Sequence, residues 1–246
     1  MNPREARLSD GKVQAITFDV FGTLVRLDRP VERLTEALLQ RGLRIPPETV
    51  QEAFIREMRY YGVHHLEGRT SSELLALRRR CSRVLFASLA EEGYSLKVSL
   101  DEMVEILMGA IRFQLYEDVL EVLNWCASKG LLTGIVSDWD CSLASTLGDL
   151  CPGHGFDCFL VSACEGITKS DSAIFLRAAA GLRLKPTHIL HVGDDIEKDV
   201  QSPQRAGFQA ILIDRSDMTQ ARGADGLLRI RGLPEIIGQW ASFTGT

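Results

Sequence analysis

The sequence has little lysine, no excess of basic charge and no long apolar run, and these shortages remove whole classes of protein. Lysine occurs six times against 22 arginines, and acidic residues outnumber basic ones 33 to 28, for a formal net charge of −5. Binding along a phosphate backbone rests on an excess of basic charge, which argues against a nucleic-acid partner. No apolar stretch approaches the roughly 20 residues that a membrane-spanning helix needs. The opening MNPREARLSDGK lacks the apolar centre of a secretory signal. The expectation is a cytoplasmic chain with no membrane partner. Six cysteines are present without a paired C-x-x-C, and in such a chain they read as reduced thiols. Cys151, His154 and Cys158 in CPGHGFDC hint at a metal site, but their spacing matches no zinc pattern.

What is present is ordinary globular material. The 246 residues are 45% hydrophobic and 25% charged, enough for one or two domains that need no disulfide or structural metal. Residues 13–19 form a short apolar run ending in Asp19. Residues 28–112 then read as helix: PVERLTEALLQRG, PETVQEAFIREMRYYG, SSELLALRRRCSRVLFASLAEEG and SLDEMVEILMGAIR each repeat apolar residues every three or four positions. The last opens on a Ser99 to Glu102 capping box. Beyond Phe113 the texture alternates. EDVLEVLNWCASKG, SAIFLRAAAGL and SPQRAG read as helices, while LLTGIVS, FDCFLVSA, HILHVGD and QAILID read as strands covered on both faces. PEIIGQWAS, within a tail from Thr219 to Thr246, reads as a last helix.

Strict alternation implies a parallel sheet with right-handed crossovers. The expected architecture is α/β: a Rossmann-like doubly wound parallel sheet forming the core, with an inserted four-helix cap. Residues 1–27 and 114–246 would make the core domain and 28–113 the cap. The insert carries 13 basic and 13 acidic residues, so the core carries the whole charge of −5. Ligands of such sheets bind beyond the carboxyl ends of the strands, where Asp19, Ser137 and Asp194 fall.

These residue types fit one kind of chemistry. A carboxylate at a strand end before a Gly turn, as Asp19 in DVFGTL, can attack a substrate while Gly22 and Thr23 amides meet an anion. Ser137, followed by Asp138, Trp139 and Asp140, can hold an anionic oxygen or cap the following helix. Lys169 in GITKSDSAIF can neutralise both a nucleophilic carboxylate and an incoming anion. Asp194, Asp195 and Asp199 in VGDDIEKD repel one another, and a hard divalent cation such as Mg2+ relieves that repulsion.

Taken together, FDVFGTL, Ser137, Lys169 and HVGDDIEKDVQSPQRAG resemble, in order and spacing, the four motifs of the haloacid dehalogenase-like (HAD) hydrolase superfamily. The first and last motifs look most like its domain-containing protein 3 subgroup. The resemblance implies Asp19 as nucleophile and Ser137 and Lys169 as catalytic holders of the transferred group. Gly22, Thr23 and Asp138 would also contact substrate. Mg2+ would be held by Asp19, the Phe21 main-chain carbonyl and Asp194, with Asp199 in the outer shell.

Two positions depart from the pattern. Family phosphatases carry a second Asp, the general acid and base, two residues after the nucleophile, and here that residue is Phe21. Asp138, Asp140 or Asp195 would have to replace it. Ser170 stands where Pro is usual. Haloacid dehalogenases also lack the second Asp, but they need no metal and carry fewer acids in the last motif. Phosphonoacetaldehyde hydrolases need a cap lysine, and Lys97 is the only lysine in the insert. The expectation is a Mg2+-dependent phosphatase acting through an aspartyl phosphate on a small anionic molecule, in a monomer or homodimer. The alternatives are a metal-independent 2-haloacid dehalogenase and a non-catalytic binding protein. Twelve arginines in the insert, Arg78 to Arg80 among them, read as solvated helix faces, and His64-His65 as a surface pair.

Overall fold

A computed structural model describes residues 13–95, 97–216 and 227–244. The N-terminal segment that bears on export and the first part of the tail, with Thr219, lie outside the described residues. By contact density the chain divides into two compact units. One comprises Met1–Arg26, Leu115–Asp138 and Leu147–Thr246; the other comprises Leu27–Gln114 and Trp139–Thr146.

In the first unit, β1 (Ala15–Phe18) is the centre of a six-stranded sheet. The chain passes through β2 (Val25–Leu27) into the helical unit, with α1 (Pro30–Leu39), α2 (Pro47–His64), α3 (Ser71–Glu91) and α4 (Leu100–Ala110). It continues through β3 (Phe113–Leu115), α5 (Val119–Lys129), β4 (Leu132–Ser137) and α6 (Leu143–Leu150). Then follow β5 (Cys158–Val161), α7 (Ser162–Glu165), α8 (Ala173–Leu182) and β6 (Ile189–Gly193). A π-helical turn (Ile196–Gln201) leads to α9 (Ser202–Arg205), β7 (Gln209–Ile213), β8 (Arg229–Ile230), α10 (Pro234–Gly238) and α11 (Trp240–Thr244).

The sheet order is β5-β4-β1-β6-β7-β8 with every pair parallel, while β2 and β3 form a separate two-stranded sheet. The chain winds outward from β1 in one direction to β4 and β5, and in the other to β6, β7 and β8. This is the doubly wound α/β core, and its switch point lies at β1. The β1 burial is complete, as expected of a strand covered on both faces. Helix α8 sets Ile174, Phe175, Ala178 and Leu182 into one cluster with Ala15, Val136 and Ile189.

The four helices of the insert form where the apolar spacing places them. Thr70 caps α3 by accepting from the Glu73 N–H, and Ser99 and Glu102 make the reciprocal capping box of α4. Leu34, Leu38, Val50, Phe54, Leu77, Leu85 and Leu107 fill the space between them. Residues 139–146 also belong to this unit, although they directly follow a strand of the core. The Cys141 N–H reaches the Gly68 carbonyl at 2.8 Å, and the Tyr61 hydroxyl donates to Asp140 Oδ2 at 2.8 Å.

The expected surface pair His64-His65 divides. His64 stacks on Tyr60, while His65 is buried with Nδ1 at 2.9 Å from the Gly62 carbonyl. Arg79 and Arg80 pair with Asp101 and Glu67 on the helix surface. None of the six cysteines, all of them among the described residues, forms a disulfide. No described helix is long and apolar enough to cross a membrane.

Candidate active site

The register of the three central strands sets the site. Phe18 pairs with Ile135 on one side and Val192 on the other. One residue further, Asp19 emerges between the ends of β4 and β6, with its N–H on the Val192 carbonyl at 2.9 Å. Ser137 Oγ donates to Asp19 Oδ1 at 3.0 Å, and both residues are buried. Lys169 comes from the loop before α8. Its Nζ donates to Asp19 Oδ1 at 2.5 Å and to Asp199 Oδ1 at 2.6 Å.

Asp138 fixes that loop. Its Oδ1 accepts the Lys169 main-chain N–H at 2.9 Å, and its other oxygen lies 3.0 Å from Lys198 Nζ. Gly22 has φ of +83°, and a Cβ there would fall 2.0 Å from Asp194 Oδ2. Only glycine lets the turn after Asp19 lie against that carboxylate. A Cβ at Gly193 would fall 2.3 Å from Asp199 Cγ, so this glycine admits the second carboxylate to the strand end.

Asp19, Asp194 and Asp199 thereby bring one oxygen each within 4.8 Å of one another. Lys169 bonds two of the three, Asp19 and Asp199. Burial opposes the charge on Lys169, but the facing charges of Asp19, Asp199 and Asp138 outweigh it and hold the ammonium firmly charged. Burial opposes ionisation of Asp199 as well, yet Lys169 and the His191 hydrogen bond take it well below the carboxylate range. The Asp19 carboxyl is raised by burial, against Lys169 and with the repulsion of Asp199. Asp194 keeps an exposed edge. Crowding out of water, then the charges of Asp19 and Asp199, push it up to about 7. The cluster thus has more negative charge than Lys169 can balance, at oxygens close enough for one small hard cation. The residues fit Mg2+.

The remaining expected residues have other neighbours. Thr23 is fully buried, and its carbonyl accepts from Arg215 Nη2 at 2.7 Å. Asp195 caps the π-helical turn, accepting from the Glu197 and Lys198 N–H groups at 2.9 Å. Asp140 accepts from Tyr61 and from the Ser142 N–H within the helical unit. The three carboxylates offered as substitutes for the absent second Asp each hold structure in this state. Phe21 itself is 39% exposed. The metal hint in CPGHGFDC finds no support, since Asp19, Asp194 and Asp199 are the only three-residue set of possible metal ligands among the described residues.

The sequence reading passed over two features. His191, inside the apolar strand ILHVG, bonds Asp199; a polar ring in such a run must find a buried partner, and that was the available signal. Arg215 stacks 3.7 Å from the Tyr116 ring centroid and bonds both Asp118 oxygens, bracing the Thr23 turn. Nothing local in the sequence joins those three residues.

The chain is 26% identical over 230 residues to the mouse (Mus musculus) haloacid dehalogenase-like hydrolase domain-containing protein 3, covering 92% of this chain and 91% of that protein. It is 36% identical over 106 residues to a glyceraldehyde 3-phosphate phosphatase of Methanopyrus kandleri, covering 41% and 43%. Among solved structures, the L-2-haloacid dehalogenase of Xanthobacter autotrophicus superposes with a TM-score of 0.63 at 17% identity, covering 92% and 98%. The family model of haloacid dehalogenase-like hydrolases matches residues 13–207. That span runs from the strand bearing Asp19 through the acidic turn after β6, and the chain belongs to this family of hydrolases.

Proposed function

We propose that the chain is a Mg2+-dependent phosphatase-type hydrolase that transfers a phosphoryl group from a small phosphorylated metabolite to Asp19. The observation that carries this reading is the trio of carboxylate oxygens within 4.8 Å, with one ammonium bonded to Asp19 and Asp199 and with Asp194 pushed up to about 7. Metal-independent dehalogenation gives no role to that excess of negative charge. Asp19, Asp194 and the Phe21 carbonyl would hold Mg2+, with Asp199 behind them. The ion would supply positive charge to the phosphoryl oxygens.

A carboxylate oxygen of Asp19 attacks phosphorus. The P–O bond to the leaving group breaks, and its electron pair departs with the leaving oxygen. Ser137 and Lys169, already directed at Asp19 Oδ1, hold the phosphoryl group as it moves. Water then attacks the aspartyl phosphate and gives its proton to solvent. Inorganic phosphate leaves and the Asp19 carboxylate is restored. Phe21 has no proton to give, so the leaving group must be stable as an anion. This favours an acyl phosphate, an anhydride or an acidic ester. Substrate selection is assigned to the helical insert.

Acetyl phosphate and para-nitrophenyl phosphate, each with and without Mg2+, test the reading beside 2-chloropropionate. The expected result is phosphate release that requires Mg2+ and vanishes in Asp19→Asn. Halide release without metal would establish the dehalogenase alternative, and a folded chain that turns over none of the three would favour a binding protein.

A further inference from the structure

We infer that His191 is a positioning residue, which acts through Asp199 to hold Lys169 on the nucleophile. His191 lies in the middle of β6 and is wholly buried, between Leu190 and Val192 along an otherwise apolar strand. An aliphatic residue would fill the same place with nothing to satisfy. Both ring nitrogens are used. Nδ1 lies 2.9 Å from Thr17 Oγ1, and Nε2 lies 3.0 Å from Asp199 Oδ1. Thr17 and His191 face one another in the β1–β6 register, so strand pairing itself fixes the first contact. The Phe175 ring packs edge-on against the imidazole, with ring centroids 4.9 Å apart.

A carboxylate only accepts, so Nε2 carries a hydrogen toward Asp199. That same Oδ1 accepts from Lys169, and Oδ2 accepts from the Asp195 N–H at 3.1 Å. Asp199 is therefore pinned from three sides. Pinned there, it divides the ammonium between itself and Asp19. The result is a buried chain, Thr17–His191–Asp199–Lys169–Asp19, that begins in the sheet and ends on the Asp19 carboxylate. Without His191, Asp199 would keep the lysine but lose the contact that fixes its own angle. Its consequence for turnover rests on the phosphatase reading, whereas its consequence for Lys169 does not.

The test uses His191→Gln, His191→Asn and His191→Phe in the full chain. Gln reaches Asp199 with its amide, Asn reaches only toward Thr17, and Phe keeps the ring shape with neither bond. With six lysines in the sequence, selective 15N labelling of lysine side chains gives a resolvable spectrum. Lys169→Met assigns the buried ammonium by the loss of its exchange-protected signal. The expected result is that this signal persists in the parent and in Gln, but shifts or broadens in Asn and Phe. Acetyl phosphate turnover should fall in kcat by roughly 10- to 100-fold in Asn and Phe with KM little changed, and recover in Gln. Should Phe fail to fold, the Gln and Asn pair decides. A folded Asn variant with the parental Lys169 signal overturns the inference, whether or not the chain proves to be a phosphatase. An inactive parent whose Lys169 signal still follows this pattern overturns only the phosphatase reading.

Discussion

Each unit of this molecule buries a polar cluster, and the two clusters resolve their charge in opposite ways. In the sheet unit, Asp19 and Asp199 share Lys169, and every contact is short and charge-assisted. In the helical unit, Glu57 is 2% exposed and Oε2 has no hydrogen-bond partner. Burial there, hardly offset by a bond from Cys81, pushes its carboxyl up to about 7. No basic group contributes to that shift. Cys81 in turn is pushed well above the usual thiol range by burial and then by Glu57. Tyr61, likewise buried beside Asp140, is raised well above an ordinary phenol. Asp199, bonded to the ammonium, is held ionised. Glu57, with no cation beside it, is pushed toward its neutral form and acts as packing.

Removing the cation should collapse the distinction, with the largest effect. Lys169→Met leaves three neighbouring carboxylates without their counter-charge, and breaking a buried pair in this way costs about 3–5 kcal/mol. Chemical denaturation at neutral pH should show that loss, partly restored by millimolar Mg2+.

Glu57→Gln makes the complementary test. Between the ordinary carboxyl value of 4.5 and about 7, the folded chain keeps a proton that the unfolded chain has released. Its contribution to stability therefore falls as pH rises through that window and levels off above it. At pH 8 the penalty is on the order of 3 kcal/mol. The amide should recover most of it at pH 8 and little at pH 4.5, as read from denaturation midpoints at the two pH values.

The difference between the clusters was only partly visible in the sequence. Asp19, Ser137 and Asp194 could be placed because strands announce their ends, and in a parallel sheet ends converge at the switch point. Lys169 was harder, since a loop lysine looks the same whether solvated or buried. Glu57 was invisible as a buried acid, because one Glu on an otherwise regular amphipathic helix gives no sign of which face it takes. Helices α1 to α4 were legible from long periodic runs, with proline at the starts of α1 and α2 and a capping box at the start of α4. Strands β2, β3 and β8 span two or three residues, too short to show any period. The placement of residues 139–146 in the helical unit depends on Tyr61 and Gly68, both more than 70 positions away along the chain.

Two smaller changes sharpen the picture of the sheet unit. Phe21→Asp adds the proton donor that the reading lacks, at a side chain exposed enough to accept a charge. Turnover of alkyl phosphates should rise by at least about 10²-fold, the lower range for general acid catalysis, while acetyl phosphate turnover barely changes. An unchanged alkyl phosphate rate in a folded, Mg2+-binding variant would mean that another group already moves the proton. Gly22→Ala forces a left-handed backbone on a residue with a side chain, which costs about 1–2 kcal/mol, and also displaces Asp194. A lower melting temperature together with weaker Mg2+ binding is the expected pair of results.

The central claim is that the charge left over at Asp19, Asp194 and Asp199 exists to receive a cation, and titration calorimetry with Mg2+ tests it without requiring a substrate. The parent should bind one ion at millimolar concentration or below, and Asp194→Asn should bind it at least tenfold more weakly, about 1.4 kcal/mol or more. Equal affinity in the two proteins, or no binding by the parent at millimolar metal, would contradict the account.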